Sequence, residues 1–298
     1  MKIVFWGTPS YAVPILNSII NSNHDVVAIV TQPDKRRGRG KSLSASPVKQ
    51  LGLNSGIRIF TPENIRKQED IQNEIEGIGA DIYIVVAFGQ ILPVEVLNQP
   101  PLGCWNIHAS LLPNWRGAAP INWSIVTGDV TTGVAIMAME QGLDTGPILI
   151  QRSIKIGLTE NAHQLSSRLS NLSSDLILES LDKINEIGPG TQEDRYNKLN
   201  LISQDKLNRR VRYARQIRKE DYEVNWNESA INIHRKIMGF YPNLFTSWRG
   251  KRLKLLNSIP LVESYKDYLI GLKETLIIKP QTAQAGHITS IVKNTGII

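Results

Sequence analysis

Residues 81–87 read Asp-Ile-Tyr-Ile-Val-Val-Ala. A run this apolar, with no polar residue on every second position, fits a strand covered on both faces, and such strands belong to parallel sheets flanked by helices. Further apolar runs predict strands at Lys2–Trp6, Val26–Val30, Ile57–Phe60 and Cys104–His108. Helical stretches separate them. Thr8-Pro9 predicts an N-cap with a first-turn proline for a helix reaching about Ile20, and Ser46-Pro47 opens another in the same way. Strands alternating with helices imply right-handed crossovers and a Rossmann-like, mostly parallel α/β sheet. Thr132–Met139 and Pro147–Ile154 read as a pair of strands around the Gln141–Gly146 turn. Residues 160–186 read as one long helix, with Leu165, Leu169, Leu172, Leu176 and Leu181 at helical spacing. The first strand ends at Gly7, but Gly7-Thr8-Pro9-Ser10 lacks the second and third glycines of a dinucleotide fingerprint, which argues against a nicotinamide site.

Gly188-Pro189-Gly190 breaks this pattern. We expect a catalytic domain over 1–190, a polar linker over 191–206 and a basic C-terminal domain over 207–298. Within the last, Ile231–Ile237 looks helical. Trp248, Leu253–Ile259, Tyr268–Leu272, Thr275–Ile278 and His287–Val292 look like short strands of a small antiparallel, OB-like barrel. Lys293–Gly296 then reads as a turn and Ile297-Ile298 as the start of another strand, so the expected barrel is incomplete, through either a shortened chain or a reduced domain.

Charge divides along the same line. Residues 1–194 hold 15 Lys+Arg against 19 Asp+Glu, a net −4, whereas 195–298 hold 19 against 8, a net +11. The first part concentrates its basic charge in Lys35, Arg36, Arg37, Arg39, Lys41 and Lys49. Lys206–Lys219 carries seven basic residues and no acid, Arg209, Arg210 and Arg212 among them, and Arg249, Lys251, Arg252 and Lys254 follow. This distribution predicts a polyanionic partner over a merely solubilising surface. The single cysteine, Cys104, excludes an intrachain disulfide, and five scattered histidines give no metal-ligand spacing, so no metal is expected. The N-terminal apolar run is too short for a signal peptide and no membrane span is apparent, which fits a cytoplasmic protein.

Chemistry concentrates in Gly103–Pro120. Residues i and i+2 of a strand face the same side, so Asn106 and His108 point together beside the constrained loop Leu111–Gly117. An amide donor next to an imidazole at a strand end can hold an oxyanion. Asp144 lies in the glycine-flanked turn Gly142-Leu143-Asp144-Thr145-Gly146, where its carboxylate could orient His108. Taken singly, each has an ordinary structural reading: a turn residue, a satisfied histidine, a turn aspartate.

Together, Asn106-Ile107-His108, Ser110-Leu111-Leu112-Pro113, Arg116-Gly117, Gly142–Gly146, Tyr213-Ala214, Val224-Asn225-Trp226 and the basic insertion from Thr31 to Lys49 resemble the folate-dependent formyltransferases, in the branch acting on initiator methionyl-tRNA. The likeness runs from residue 1 to about 260. It implies Asn106, His108 and Asp144 as the catalytic set and 10-formyltetrahydrofolate as co-substrate. The folate site it implies lies beside Phe88, Gly89, Ile91, Leu92, Ser110, Leu111, Leu112 and Pro113, near residues 140–144. It also implies that the loop with Lys35, Arg36, Arg37, Arg39 and Lys41 enters the tRNA acceptor end, with Arg209, Arg210 and Arg212 tracking phosphates, in a chain that acts as a monomer. The chemistry suits these residue types: a free α-amine titrates near pKa ~8, so a useful fraction is already neutral and needs no strong nucleophile from the protein. The rival readings are a sugar-nucleotide N-formyltransferase, against which the basic loop and tail argue, and a catalytically silent RNA-binding protein, against which the intact Asn/His/Asp set argues.

Overall fold

The computed structural model describes residues 1–37, 42–260 and Tyr265. The expected strands at Tyr268–Leu272, Thr275–Ile278 and His287–Val292, and the basic residues Arg39 and Lys41, lie outside the described residues.

The chain begins with β1 (Lys2–Gly7), α1 (Ala12–Ile20), β2 (Asp25–Val30), β3 (Lys35–Arg37), β4 (Ser42–Ser44), α2 (Pro47–Asn54), β5 (Arg58–Phe60) and α3 (Glu69–Glu76). It continues through β6 (Ile82–Val86), α4 (Val94–Leu97), β7 (Cys104–His108), β8 (Arg116–Gly117) and α5 (Pro120–Val126). Then come β9 (Thr131–Ala138), β10 (Ile148–Lys155), α6 (Ala162–Ile187) and α7 (Gln192–Lys198). The remainder forms β11 (Tyr213–Ala214), α8 (Ala230–Gly239), β12 (Phe245–Trp248) and β13 (Lys251–Lys254).

These elements sort into two compact units. One comprises Met1–Ile121, Thr131–Lys155 and Gln164–Gln216; the other comprises Asn122–Val130, Ile156–His163 and Ile217–Ile298. The first is built on a seven-stranded sheet in the order β10-β9-β7-β6-β1-β2-β5. Strands β7, β6, β1, β2 and β5 run parallel, and β9 and β10 add an antiparallel edge. Every residue of β6 is buried, as its unbroken apolar run requires. The strand order reverses between β1 and β6, and crevices at the carboxyl ends of strands beside such a reversal are where open α/β sheets bind ligands.

Two local expectations change. Thr8 does not cap α1: the helix starts at Ala12 without a side-chain cap, and the Thr8 hydroxyl instead donates to the Phe88 carbonyl at 2.9 Å, tying the carboxyl end of β1 to that of β6. Ser46 does cap α2, accepting from the Lys49 amide at 3.0 Å with Pro47 in the first turn. The second concerns the polar span 191–206, expected as a linker, which carries regular structure. Thr191 and Asp194 form a capping box that starts α7, and a 3-10 turn follows at Gln204–Leu207. Thr-x-x-Asp is a variant of the usual box, which is why the polar composition reads as linker.

In the long helix α6, Leu165, Leu169, Leu176, Ile177, Leu181 and Ile184 are wholly buried, and the hydroxyls of Ser173 and Ser180 bond back to carbonyls one turn earlier. The basic insertion after β2 is a hairpin of β3 and β4. In the second unit, Ser229 caps α8 and β12 pairs antiparallel with β13 through the turn Arg249-Gly250, both residues at positive φ. This hairpin sits earlier in the chain than the strands expected around it, because the Arg-Gly turn lacks the usual Asn or Asp signal.

Candidate active site

Strand β7 ends with Asn106 and His108 on one side, as the two-residue period predicts, and both meet Asp144. Asn106 Nδ2 donates to Asp144 Oδ1 at 3.2 Å. His108 Nδ1 faces Asp144 Oδ2 at 3.7 Å, and the Gly117 amide donates to the same oxygen at 2.7 Å. Asp144 sits in the loop joining β9 to β10 with φ +53, a left-handed conformation that aspartate accepts more readily than most residues. The carboxylate is thus nearly enclosed and held by two neutral donors.

The histidine is more constrained than its sequence context suggests. His108 Nε2 lies 2.8 Å from the Trp115 carbonyl, which can only accept, so Nε2 carries a proton. Nδ1 stands 3.7 Å from Asp144 Oδ2, too far for a hydrogen bond, so the proton the ring has engaged is the one on Nε2. The expected donation from His108 to an oxyanion thus requires the Trp115 contact to give way. Asn106 needs no such change, because its second amide hydrogen has no partner among the described residues.

A second layer supports this set. Gln204, which sequence reasoning did not single out, is buried beneath the 144–146 turn. Its Nε2 donates to the carbonyls of Asp144 and Gly146, both at 2.8 Å. Its Oε1 accepts from Arg116 Nε at 3.0 Å and Nη2 at 2.7 Å. Nothing local to a Ser-Gln-Asp-Lys stretch signals this role. Arg116 belongs to β8, which pairs in parallel with β11 and so brings 212–214 alongside the site. Arg212, expected on phosphates, lies with its guanidinium carbon 3.8 Å above the Trp115 ring.

A cavity of about 420 Å³ lies at the amino end of β7. Its lining includes Val94, Leu97, Cys104, Trp105, Glu140 and Gln141, with Gln192, Arg195 and Tyr196 of α7 forming one wall. Arg195 Nη1 ties that wall down by donating to the Pro101 and Gly190 carbonyls at 2.9 and 2.7 Å, and the Tyr196 hydroxyl donates to Glu140 Oε1 at 3.2 Å. Burial pushes the Tyr196 phenol up to about 12 and raises the Cys104 thiol further, so both are neutral and Cys104 is no nucleophile.

Of the residues expected at a folate pocket, none lines this cavity, although Glu140 and Gln141 from the 140–144 run do. Phe88 is core, packed edge-on against Trp6 at 5.2 Å, with Gly89 following at φ +88. Leu92 is buried, whereas Ile91 is 66% exposed. Ser110 bonds through its hydroxyl to the Asn114 carbonyl, and Leu111 is half-buried. Leu112 packs with Ala135, Met137 and Ile148, while the Pro113 carbonyl accepts from the Arg212 amide. Lys35 and Arg36 are exposed on β3, which Arg37 ends. Lys49 is ion-paired with Asp34 at 2.8 Å, and Arg209 and Arg210 are exposed. Among the described residues no group of three or more His, Cys, Asp or Glu gathers as a metal site.

A parallel sheet carrying an Asn/His/Asp cluster at its strand ends defines a class of acyl-transfer catalyst, and comparison with known proteins agrees. Residues 1–181 match the Formyl transferase family and residues 216–298 match Formyl transferase, C-terminal domain. Methionyl-tRNA formyltransferase of Prochlorococcus marinus strain MIT 9313 is 55% identical over 90% of this chain and 78% of its own length. The protein of the same name from strain MIT 9303 is 54% identical over 99% of this chain and 87% of its own. A solved structure of WlaRD, a sugar 3N-formyl transferase in the presence of dTDP and 5-N-formyl-THF, shares the fold with a TM-score of 0.61 at 19% identity, over 87% of this chain and 86% of that one. The chain belongs to the formyltransferase family and, within it, to the methionyl-tRNA formyltransferases.

Proposed function

We propose that this chain transfers the formyl group of 10-formyltetrahydrofolate to the α-amine of initiator methionyl-tRNA, with Asn106, His108 and Asp144 as its catalytic residues. The observation that carries the chemistry is the enclosed Asp144 carboxylate, held by Asn106 and Gly117 and facing His108. The neutral amine attacks the formyl carbon, a C–N bond forms and the carbonyl electrons move to oxygen. Asn106 donates its second amide hydrogen to that oxygen, and the His108 ring beside it lines the same side of the site. Asp144 takes the proton released by the amine, directly or through water. Collapse of the tetrahedral carbon then breaks its bond to the folate nitrogen, which leaves with the proton that Asp144 took from the amine.

We assign the folate ring system to the loops that follow the carboxyl ends of β6, β7 and β9, at Phe88–Leu92, Ser110–Pro113 and residues 140–144. The loop after β6 lies where the strand order of the parallel sheet reverses, and such reversals are where these sheets bind ligands.

For tRNA we assign the basic hairpin, with Lys35, Arg36 and Arg37 in β3 and Arg39 and Lys41 beyond it, and the exposed Arg209 and Arg210. Neutralising Arg209 and Arg210 together should flatten the dependence of log affinity on log salt by up to roughly two units. Arg212 is left out of that test because its guanidinium lies on Trp115. A slope identical to the parent's in salt titrations would assign these arginines to surface solvation. We place the reaction in the cytoplasm, with the chain acting as a monomer; among the described residues no helix is long and apolar enough to cross a membrane. The direct test of the whole reading is formylation with 10-formyltetrahydrofolate, comparing initiator methionyl-tRNA with free methionine and with an amino-sugar nucleotide. Transfer to the sugar but not the tRNA would overturn it.

A further inference from the structure

The Gln204 side chain has every hydrogen-bonding position engaged in one direction. It gives both amide hydrogens to the carbonyls of Asp144 and Gly146, and its oxygen takes two bonds from the Arg116 guanidinium. The reverse amide orientation would set its NH2 against a cation and its oxygen against two carbonyls, so this assignment is unambiguous. Gln204 is 3% exposed and Arg116 8%. Among the described residues Arg116 forms no ion pair: a buried guanidinium is paired with a neutral amide, an arrangement costly to fold unless its bonds are complete.

The ring closes one residue further on. Gly117, next to Arg116, donates its amide to Asp144 Oδ2. Besides its bond from Asn106, Asp144 is therefore held by Gln204 through its main chain and by Gly117 through its carboxylate, and Arg116 fastens these two holders to each other. The guanidinium also polarises the Gln204 amide and strengthens its donation to the Asp144 carbonyl.

We propose that Gln204 and Arg116 are positioning residues for formyl transfer: through the 144–146 turn they set where the Asp144 carboxylate stands relative to His108 and Asn106. This inference rests on the catalytic role assigned to Asp144 above. It gives the 191–207 segment a task within the catalytic unit, as the piece that locks the reactive turn from behind.

The discriminating variant is Gln204→Glu. It preserves volume and keeps an acceptor for Arg116, now as an ion pair, but cannot donate to the two carbonyls. We expect kcat to fall about 100-fold, the cost of a small misplacement of a reacting group. KM for folate and for tRNA should stay within roughly twofold, since no substrate-binding contact is removed. In the protein without substrates, amide hydrogen exchange at Gly117 should quicken while exchange in β6 is unchanged. Gln204→Leu should lose activity and stability together, and if it fails to fold, Gln204→Glu still decides. An active parent with a Gln204→Glu variant of equal kcat, or one that changes only KM, overturns this inference alone. A parent that does not formylate overturns the reading beneath it.

Discussion

Replacing Asp144 by Asn should lower kcat by about 10²–10³-fold, with little change in the KM for folate. The geometry explains why the isosteric amide is a poor substitute. Both carboxylate oxygens accept, one from Asn106 Nδ2 and the other from the Gly117 amide. An amide offers one oxygen and one NH2, so one of these two donors must meet another donor, and the turn shifts or the contact breaks. The negative charge facing His108 is lost as well. His108→Ala should cost a similar factor. Because the two residues act on the same charge, the double variant should be little worse than either single one. Steady-state kinetics on the three proteins decide: multiplied losses would mean that the two work independently, and near-parental kcat in Asp144→Asn would remove Asp144 from the mechanism.

Gly117→Ala should lose both stability and turnover. Gly117 has φ +118, outside the range of residues bearing a Cβ, and a Cβ built there would lie 2.7 Å from the Ala214 carbonyl oxygen. That oxygen is not free to retreat, because it accepts from the amides of Ala118 and Ala119. The substitution therefore pushes β8 from β11 and displaces the amide that holds Asp144. Backbone strain of this kind costs about 1–3 kcal/mol, or a fall of roughly 2–10 °C in the unfolding midpoint. A kcat loss larger than this destabilisation implies is the mark of the displaced amide. A variant that melts and turns over like the parent would show that the β8–β11 pairing is slack and Asp144 is held without it.

What could be read from the residues alone was the part governed by short-range pattern. The apolar runs placed β1, β2, β6 and β7, and the two-residue period of β7 put Asn106 and His108 on one side. The Ser46-Pro47 start of α2 was equally local. The features that escaped depend on partners far along the chain. Thr8 has an ideal capping position, but the Phe88 carbonyl outcompetes the helix for its hydroxyl. Gln204 looks like an ordinary polar residue until folding brings Asp144, Gly146 and Arg116 around it. Similarly, His108 is engaged by a carbonyl seven residues later, which only the left-handed conformation of Trp115 presents to it. Residue type and spacing brought Asn106, His108 and Asp144 forward as candidates; tertiary partners decide which of their donors remain available.

The way the chain passes between its two units limits how evolution, or an engineer, can recombine them. Residues 122–130 and 156–163 lie more than fifty residues before 217 in the sequence yet belong to the unit built mainly from 217 onward. There Trp123 meets the edge of Phe240, Asn122 donates to the Gly239 carbonyl and the Leu158 carbonyl faces His234. A cut after Gln216 would strand these groups without their counterparts. The tail therefore cannot be exchanged between relatives as a detachable cassette: a chimera that keeps its fold must inherit three separate stretches from one parent, so the two units are expected to diverge in step rather than be shuffled.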